Sequence, residues 1–447
     1  LVNAARDPSS PKLAEAAHVM RPVALVAYDA NSGDATLENR WAFTSADVLA
    51  GSWELRREGE AVASGGFALP PVPPGETGFC GLPDVPVLAA DGADVTLTLA
   101  FARKEATPWT PAGFVVARDE TVIQSGRPDR FAQVPSAPGA VVETADAFVL
   151  AGGVSTAAVA KATGTLSRLS LGGVEVLDGN AAAGPRLAAV RAFTDNDVGL
   201  GPWASIRAPF YESGLTQMSY RPVKVVCDGS SVVSVVRAEG SKGLGWLHER
   251  RWRLGADGAL TVSHALTPRG ALPPLPRLGT DWRLSGSLDR VRWFGRGPGE
   301  NYPDRCSASF LGVYASTVDG LAVDYVRPQD NGIRSDVRWV ELTDSDGRGV
   351  RFAASAPFAF RAHRQAWEDV EFARHRKGEE RRRQAMPRRR EIRFSLDVAE
   401  RGLGNASCGP MTAPEHCVDA GPRVWTERLA PTKGNESGVP APPTPMR

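Results

Sequence analysis

A chain of 447 residues, 42% hydrophobic and 23% charged, can bury a large core and by length should hold two or three domains. Its 52 basic and 51 acidic residues leave a net charge of +1, which excludes a global field drawing it to nucleic acid or to an anionic membrane. No apolar run approaches the roughly 18 to 20 residues that cross a bilayer, so no membrane partner is expected.

Cys80, Cys227, Cys306, Cys408 and Cys417 are an odd number spread over a long chain. That disfavours a disulfide framework and suits a reducing, cytoplasmic compartment. No Cys-x-x-Cys pair points to zinc, and no charged n-region with an apolar core points to secretion. The sequons at Asn405 and Asn435 matter only in a secreted protein.

Ser10 can cap a helix that starts at Pro11 and carries Leu13, Ala14, Ala16, Ala17 and Met20 until Pro22 ends it. From Val23 the period becomes two: Val23, Leu25 and Ala27; Trp41 and Phe43; Trp53 and Leu55; Val95, Leu97, Leu99 and Phe101. Short strands separated by turn signals such as Asn31-Ser32-Gly33 predict an immunoglobulin-like sandwich over residues 23–122, with Trp41 and Trp53 in its core. A Gly-, Pro- and Ser-rich linker follows over 123–140. Strands resume at Val141 and Val142, Phe148 to Leu150, a hairpin from Thr165 to Leu177 turning at Gly172-Gly173, Val232 to Val236, Trp252 and Leu254, and Leu260 and Val262. With no long helical period, residues 141–434 predict a large two-sheet antiparallel sandwich, and the whole chain is all-β.

Several stretches carry polar chemistry. Asp195-Asn196-Asp197 leads into a loop with Gly199, Gly201, Pro202 and Trp203, where cap and turn chemistry is favoured over calcium because the ligand spread of a calcium loop is missing. Residues 289–305 alternate apolar and charged positions up to Phe294. Then Gly295, Gly297, Pro298 and Gly299 end the strand and present Glu300, Asn301, Tyr302, Asp304 and Arg305. The bland reading is a self-satisfied polar corner with Arg305 tied to Asp304 or Glu300; the functional one is a set of groups suited to sugar hydroxyls. Residues 367–376 predict a short helix with Trp367, Val370 and Ala373 on one face. The basic run from Arg374 to Arg390 lacks the interleaved aromatics of a nucleic-acid surface and reads as a solvated loop. Residues 435–447 are expected to be disordered.

The pattern Trp293-Phe294-Gly295, Gly297-Pro298, Glu300-Asn301-Tyr302 and Asp304-Arg305 resembles the signature of the large C-terminal sandwich domain of glycoside hydrolase family 2 β-galactosidases. Leu1 to Ala5 with Pro11, Leu13 and Glu15, Trp109 to Gly113, Arg191 to Asp197, Pro328 to Gly332 and Gly402 to Pro410 resemble the same family in the same order. The resemblance implies a galactose mutarotase-like supersandwich for 141–434, with 1–22 as the end of a catalytic barrel and its linker. It also implies that the loops around 195–203 and 402–410 border the sugar pocket, with Asp197, Gly199, Trp203, Asn405 and Cys408 as substrate-binding candidates. Many family members carry a stacking tryptophan where this chain has Cys408, so Trp203 is the candidate replacement. Lys377 to Gln384 looks like an insertion relative to the family.

Retaining glycoside hydrolysis needs two carboxylates about 5 to 5.5 Å apart, and the family supplies them from its barrel. No alternation of strands and helices that could close a barrel occurs in this sequence, and no nucleophile elbow accompanies its six histidines. The expectation is a C-terminal fragment of a β-galactosidase, inactive alone, with no catalytic residue and no cofactor of its own. By resemblance, the complete enzyme would use magnesium, bind β-galactosides, include the missing N-terminal domains and barrel, and assemble as a homo-oligomer. The alternatives are a stand-alone carbohydrate-binding double sandwich and a structural or oligomerisation module.

Overall fold

The computed structural model describes residues 10–134, 136–179, 184–374, 376, 378 and 385–434. The motif at Leu1 to Ala5, all of the proposed insertion except Gly378, and the tail from Asn435 lie outside the described residues. The chain forms two compact units. One comprises Leu1–Arg127 with Cys306–Val313, and the other Pro128–Arg305 with Tyr314–Arg447.

The smaller unit opens on the helix Pro11–Val19. Proline at its first position suits the fixed backbone angle, and the Ser10 carbonyl, not its side chain, accepts from the amides of Leu13 and Ala14 at 2.9 and 3.3 Å. Seven strands then form two antiparallel sheets. Val23–Asp29, Asp34–Asn39 and Thr77–Gly81 make one; Glu60–Ala68, Leu49–Arg57, Val95–Arg103 and Val115–Gln124 make the other in that order. Alternate residues Trp53, Leu55, Leu97, Leu99 and Phe101 meet Leu37 and Phe67 between the sheets, as the period of two requires. Trp41 and Phe43 depart from the expected strand. The buried Asn39 donates from Nδ2 to the carbonyls of Thr44 (2.8 Å) and Val72 (2.9 Å) and accepts from the Trp41 amide, so the chain turns there and leaves Phe43 in solvent.

The larger unit is built from a five-stranded and a twelve-stranded antiparallel sheet. The five strands run in the order Val174–Glu175, Leu166–Leu171, Ser155–Ala160, Ala147–Gly152 and Ala140–Glu143. Gly172 and Gly173 make the expected hairpin turn with positive φ. In the larger sheet Arg186–Ala188 lies at one end, followed by Arg277–Leu284, Ile392–Glu400 and Gly349–His363. Its main core holds Trp252, Trp282, Trp293, Phe352, Phe360 and Phe394, with the Phe352 and Phe394 rings 4.5 Å apart. The fold is all-β with a large antiparallel sandwich, as expected.

Two details differ from the expectation. The strand Arg290–Gly297 continues through the glycines thought to end it, because a Cβ at Gly295 would lie 2.7 Å from Val337 Cγ2 and one at Gly297 would lie 2.6 Å from the Tyr314 ring. Glycine admits close neighbours there and does not break the strand. The helix Trp367–Arg374 forms where predicted and buries Ala373 of the expected face, with Trp367 packed against the core, yet it also buries the charged Glu371 and Arg374. Glu371 accepts from the Phe193 amide (3.1 Å) and from Arg207 (2.9 Å), while Arg374 donates to the Phe193 carbonyl and to Asp195. No helix is long and apolar enough to cross a membrane among the described residues.

Candidate functional site

Within the larger unit, Thr194 caps a short helical turn, Asp195–Val198. Its hydroxyl accepts from the Asp197 amide (3.1 Å), and the Asp197 carboxylate accepts from the Thr194 amide (2.9 Å). Gly199 ends the turn at φ +71°, where a side chain would be strained and would also meet the Ala204 backbone at 2.7 Å. Past it, Trp203 lies over Gly201 with 78% of its surface exposed.

The segment 402–410 joins this turn directly. Asn196 donates to the Gly404 carbonyl (2.6 Å) and accepts from the Ser407 amide (3.2 Å) and hydroxyl (2.6 Å), while the Leu200 amide reaches the Ala406 carbonyl at 2.8 Å. Asp304 fastens the same segment from the signature stretch by accepting the amides of Leu403 (2.8 Å) and Gly404 (2.7 Å). Two loops two hundred residues apart in sequence therefore form one edge, with Trp203, Asn405 and Cys408 all exposed on it.

Asp197 has a different place. Both its oxygens take the Arg191 guanidinium, at 3.0 and 2.9 Å, and its side chain is 2% exposed. Its carboxylate fixes the loop from beneath and presents no free oxygen to solvent. Arg191 passes the charge inward to Glu400 (2.6 Å), which also pairs with Arg361; Arg361 in turn pairs with Asp330 and Asp397, and Asp397 with Arg277. Burial would raise the Asp330 carboxyl, but Arg361 and Arg191 hold it below the usual carboxylate range. Tyr302 of the signature stretch donates to Asp330 at 2.7 Å.

The rest of the signature is likewise internal. Glu300 accepts from Arg305, the Tyr325 hydroxyl (2.7 Å) and the Gly332 amide (2.7 Å); Asn301 accepts from Ser335 and donates to the Gly299 carbonyl (3.0 Å). The polar corner is bonded mainly within itself, with Arg305 on Glu300 through Nη2, while the buried Arg305 Nε has no hydrogen-bond partner among the described residues. Asp195 pairs with Arg374 (2.5 Å) and Arg327 (2.9 Å), so the acidic triplet does not fit magnesium or calcium. Among the described residues no group of three His, Cys, Asp or Glu side chains could hold a metal, and Cys80, Cys227, Cys408 and Cys417 are free thiols.

Beside this network the larger unit contains a cavity of about 1030 Å³ whose wall includes Arg191, Arg277, Arg361, His363, Tyr220 and Trp367. None of Asp197, Gly199, Trp203, Asn405 and Cys408 lines it. Sequence reasoning missed this cavity. Its charged residues alternate with core residues on the strands Arg277–Leu284 and Ile392–Glu400, where the apolar set drew attention to the opposite face.

Residues 151–427 match the family model for the β-galactosidase small chain, and residues 35–124 match that for β-galactosidase domain 4. The chain belongs to the β-galactosidase family. A β-galactosidase of Arthrobacter sp. (strain B7) is 27% identical over 458 residues, covering 94% of this chain and 42% of that protein. One of Aeromonas hydrophila subsp. hydrophila is 28% identical over 428 residues, covering 93% of this chain and 40% of that protein. The chain thus spans about two fifths of the length of these β-galactosidases. Among solved structures, a putative aldose 1-epimerase from Escherichia coli K12 aligns at a TM-score of 0.36 and 11% identity over 64% of this chain and 98% of that one. Within this β-galactosidase family member, the signature stretch holds the 402–410 loop in place through Asp304 and closes the buried ion network through Tyr302.

Proposed function

We propose that the chain is the C-terminal portion of a β-galactosidase that hydrolyses terminal β-galactosides with retention. In this reading its joined loops, 194–204 and 402–410, form part of the rim of the sugar pocket. The observation that carries the reading is the alignment of nearly all of this chain with about two fifths of two β-galactosidases. The two catalytic carboxylates then belong to a barrel outside this chain. The buried acids Asp197, Asp330, Asp397 and Glu400 are each held by arginine and serve as scaffold. An exposed indole beside exposed polar groups suits the apolar face of a pyranose.

The test is complementation. The chain alone should show no hydrolysis of an aryl galactoside above background, and mixing it with the remaining three fifths of a related β-galactosidase should restore turnover. Turnover by the purified chain alone, surviving removal of contaminating host enzyme, would overturn the reading.

A further inference from the structure

Three arginines meet on the cavity wall of the larger unit. Arg283 and Arg393 are direct cross-strand partners in the antiparallel pair Arg277–Leu284 and Ile392–Glu400. Arg186, on the neighbouring strand Arg186–Ala188, pairs with Asp281 and so sits diagonal to Arg283. All three line the cavity.

Like charges placed directly opposite each other in a sheet repel, and arginine cannot relieve the repulsion by losing its proton. Burial first, then Arg393 and Arg186, depresses the proton affinity of Arg283; Asp178 and Glu391 oppose this without cancelling it. The nearby carboxylates are already engaged. Glu391 pairs with Arg393 at 2.8 Å and Asp281 with Arg277 at 2.8 Å. Glu368, also on the wall, is pushed up by burial, which weakens it as a counter-charge. Arg186 lies over the Tyr220 ring at 5.2 Å, and Arg283 has no ion-pair partner among the described residues. The site therefore combines positive charge with a ring, Trp367, and neutral hydrogen-bonding groups such as Gln217 and Thr216.

We propose that Arg186, Arg283 and Arg393 form a binding site for a small molecule bearing an oxyanion, of the class of a sugar acid or sugar phosphate. The guanidinium forks match the oxyanion, and the polar wall matches hydroxyls. The site is distinct from the rim loops, so binding here does not depend on the catalytic reading.

The experiment is calorimetric titration of the chain at low ionic strength with galacturonate, galactose 6-phosphate, inorganic phosphate and galactose. At least one of the three anions should bind saturably, one per chain, and weaken as sodium chloride is added. Sugar anions binding at least about tenfold tighter than phosphate would identify a sugar ligand, whereas equal affinities would identify a free oxyanion site. Arg283→Gln should weaken anion binding about tenfold or more. It should also leave the ligand-free thermal midpoint unchanged or raised, since it removes a repulsion; a merely structural arginine would lower it. Arg186→Gln, on the end strand, provides a second variant with the same expected loss. The proposal fails if no anion binds, if galactose binds as tightly as galacturonate, or if both variants bind anions like the parent chain.

Discussion

Glu427 is fully buried beside His264, whose ring stacks on Trp425 at 4.3 Å. Its Oε1 accepts from the Thr280 hydroxyl (2.9 Å) and the Trp425 indole (3.0 Å), and lies 3.5 Å from His264 Nε2, while Oε2 has no hydrogen-bond partner. Burial raises this carboxyl from 4.5 to about 7. Between those values the folded chain holds a proton that the unfolded chain has released, so Glu427 makes stability fall as pH rises through that window. Glu427→Gln should remove the decline and stabilise the protein at pH 8 by on the order of 3 kcal/mol relative to the parent. His248 and His264, both lowered well below 6.5 by burial, act the other way by favouring unfolding as pH falls below 6.5. They remain in the variant, so the measurement is the difference between parent and variant unfolding free energies from pH 5 to 8; a flat difference would remove Glu427 as its source. Trp203 supports a second expectation. With 78% of its surface exposed, Trp203→Ala in a complemented enzyme should raise KM several-fold, from stacking worth about 0.5 to 1.5 kcal/mol, and leave the thermal midpoint of the chain unchanged.

At the scale of elements, Asn196 is the joint between the 195–198 turn and the 402–410 loop. Asn196→Ala strips a partner from the Gly404 carbonyl and from the Ser407 amide, both part-buried, and should cost about 1 to 3 kcal/mol. Because the loss is local, amide exchange should quicken in 402–410 while the sheet core keeps its protection. Asp304→Asn should loosen the same loop from the opposite side, since Asp304 accepts from Leu403 and Gly404. The helix Trp367–Arg374 shows the limit of periodicity. Its existence was readable from the pattern, but Glu371 and Arg374 face inward because the Phe193 backbone, distant in sequence, offers them partners.

At the scale of the molecule, the smaller unit is not continuous in sequence. Residues 306–313 belong to it: Glu15 accepts from the amides of Ser307 and Ala308 (both 3.1 Å), Glu120 from that of Leu311 (3.0 Å), and the Gly59 carbonyl from that of Val313 (3.2 Å). Residues 10–127 produced alone leave these acceptors without their partners. Their thermal midpoint should rise by several degrees when a peptide of residues 306–313 is added in excess, by simple mass action. A midpoint indifferent to the peptide would show that the segment adds nothing to the unit.

The sequence by itself determined the all-β class, the strands of the first sandwich at Val23–Asp29, Leu49–Arg57 and Val95–Arg103, and the hairpin at Gly172-Gly173, and it offered the internally bonded corner at Glu300 to Arg305 as one of two readings. Alternation of side chains and the special backbone needs of glycine and proline are local properties that the order of residues states directly. It also carried the family, because the signature residues act as a set. Only tertiary structure decided that Asp197 faces Arg191 and that Asn196 ties two loops together. It also decided that Arg186, Arg283 and Arg393 share one cavity wall. Those facts depend on which strands become neighbours and in what register. Burial then sets the charge balance at each site, and no window of sequence contains either.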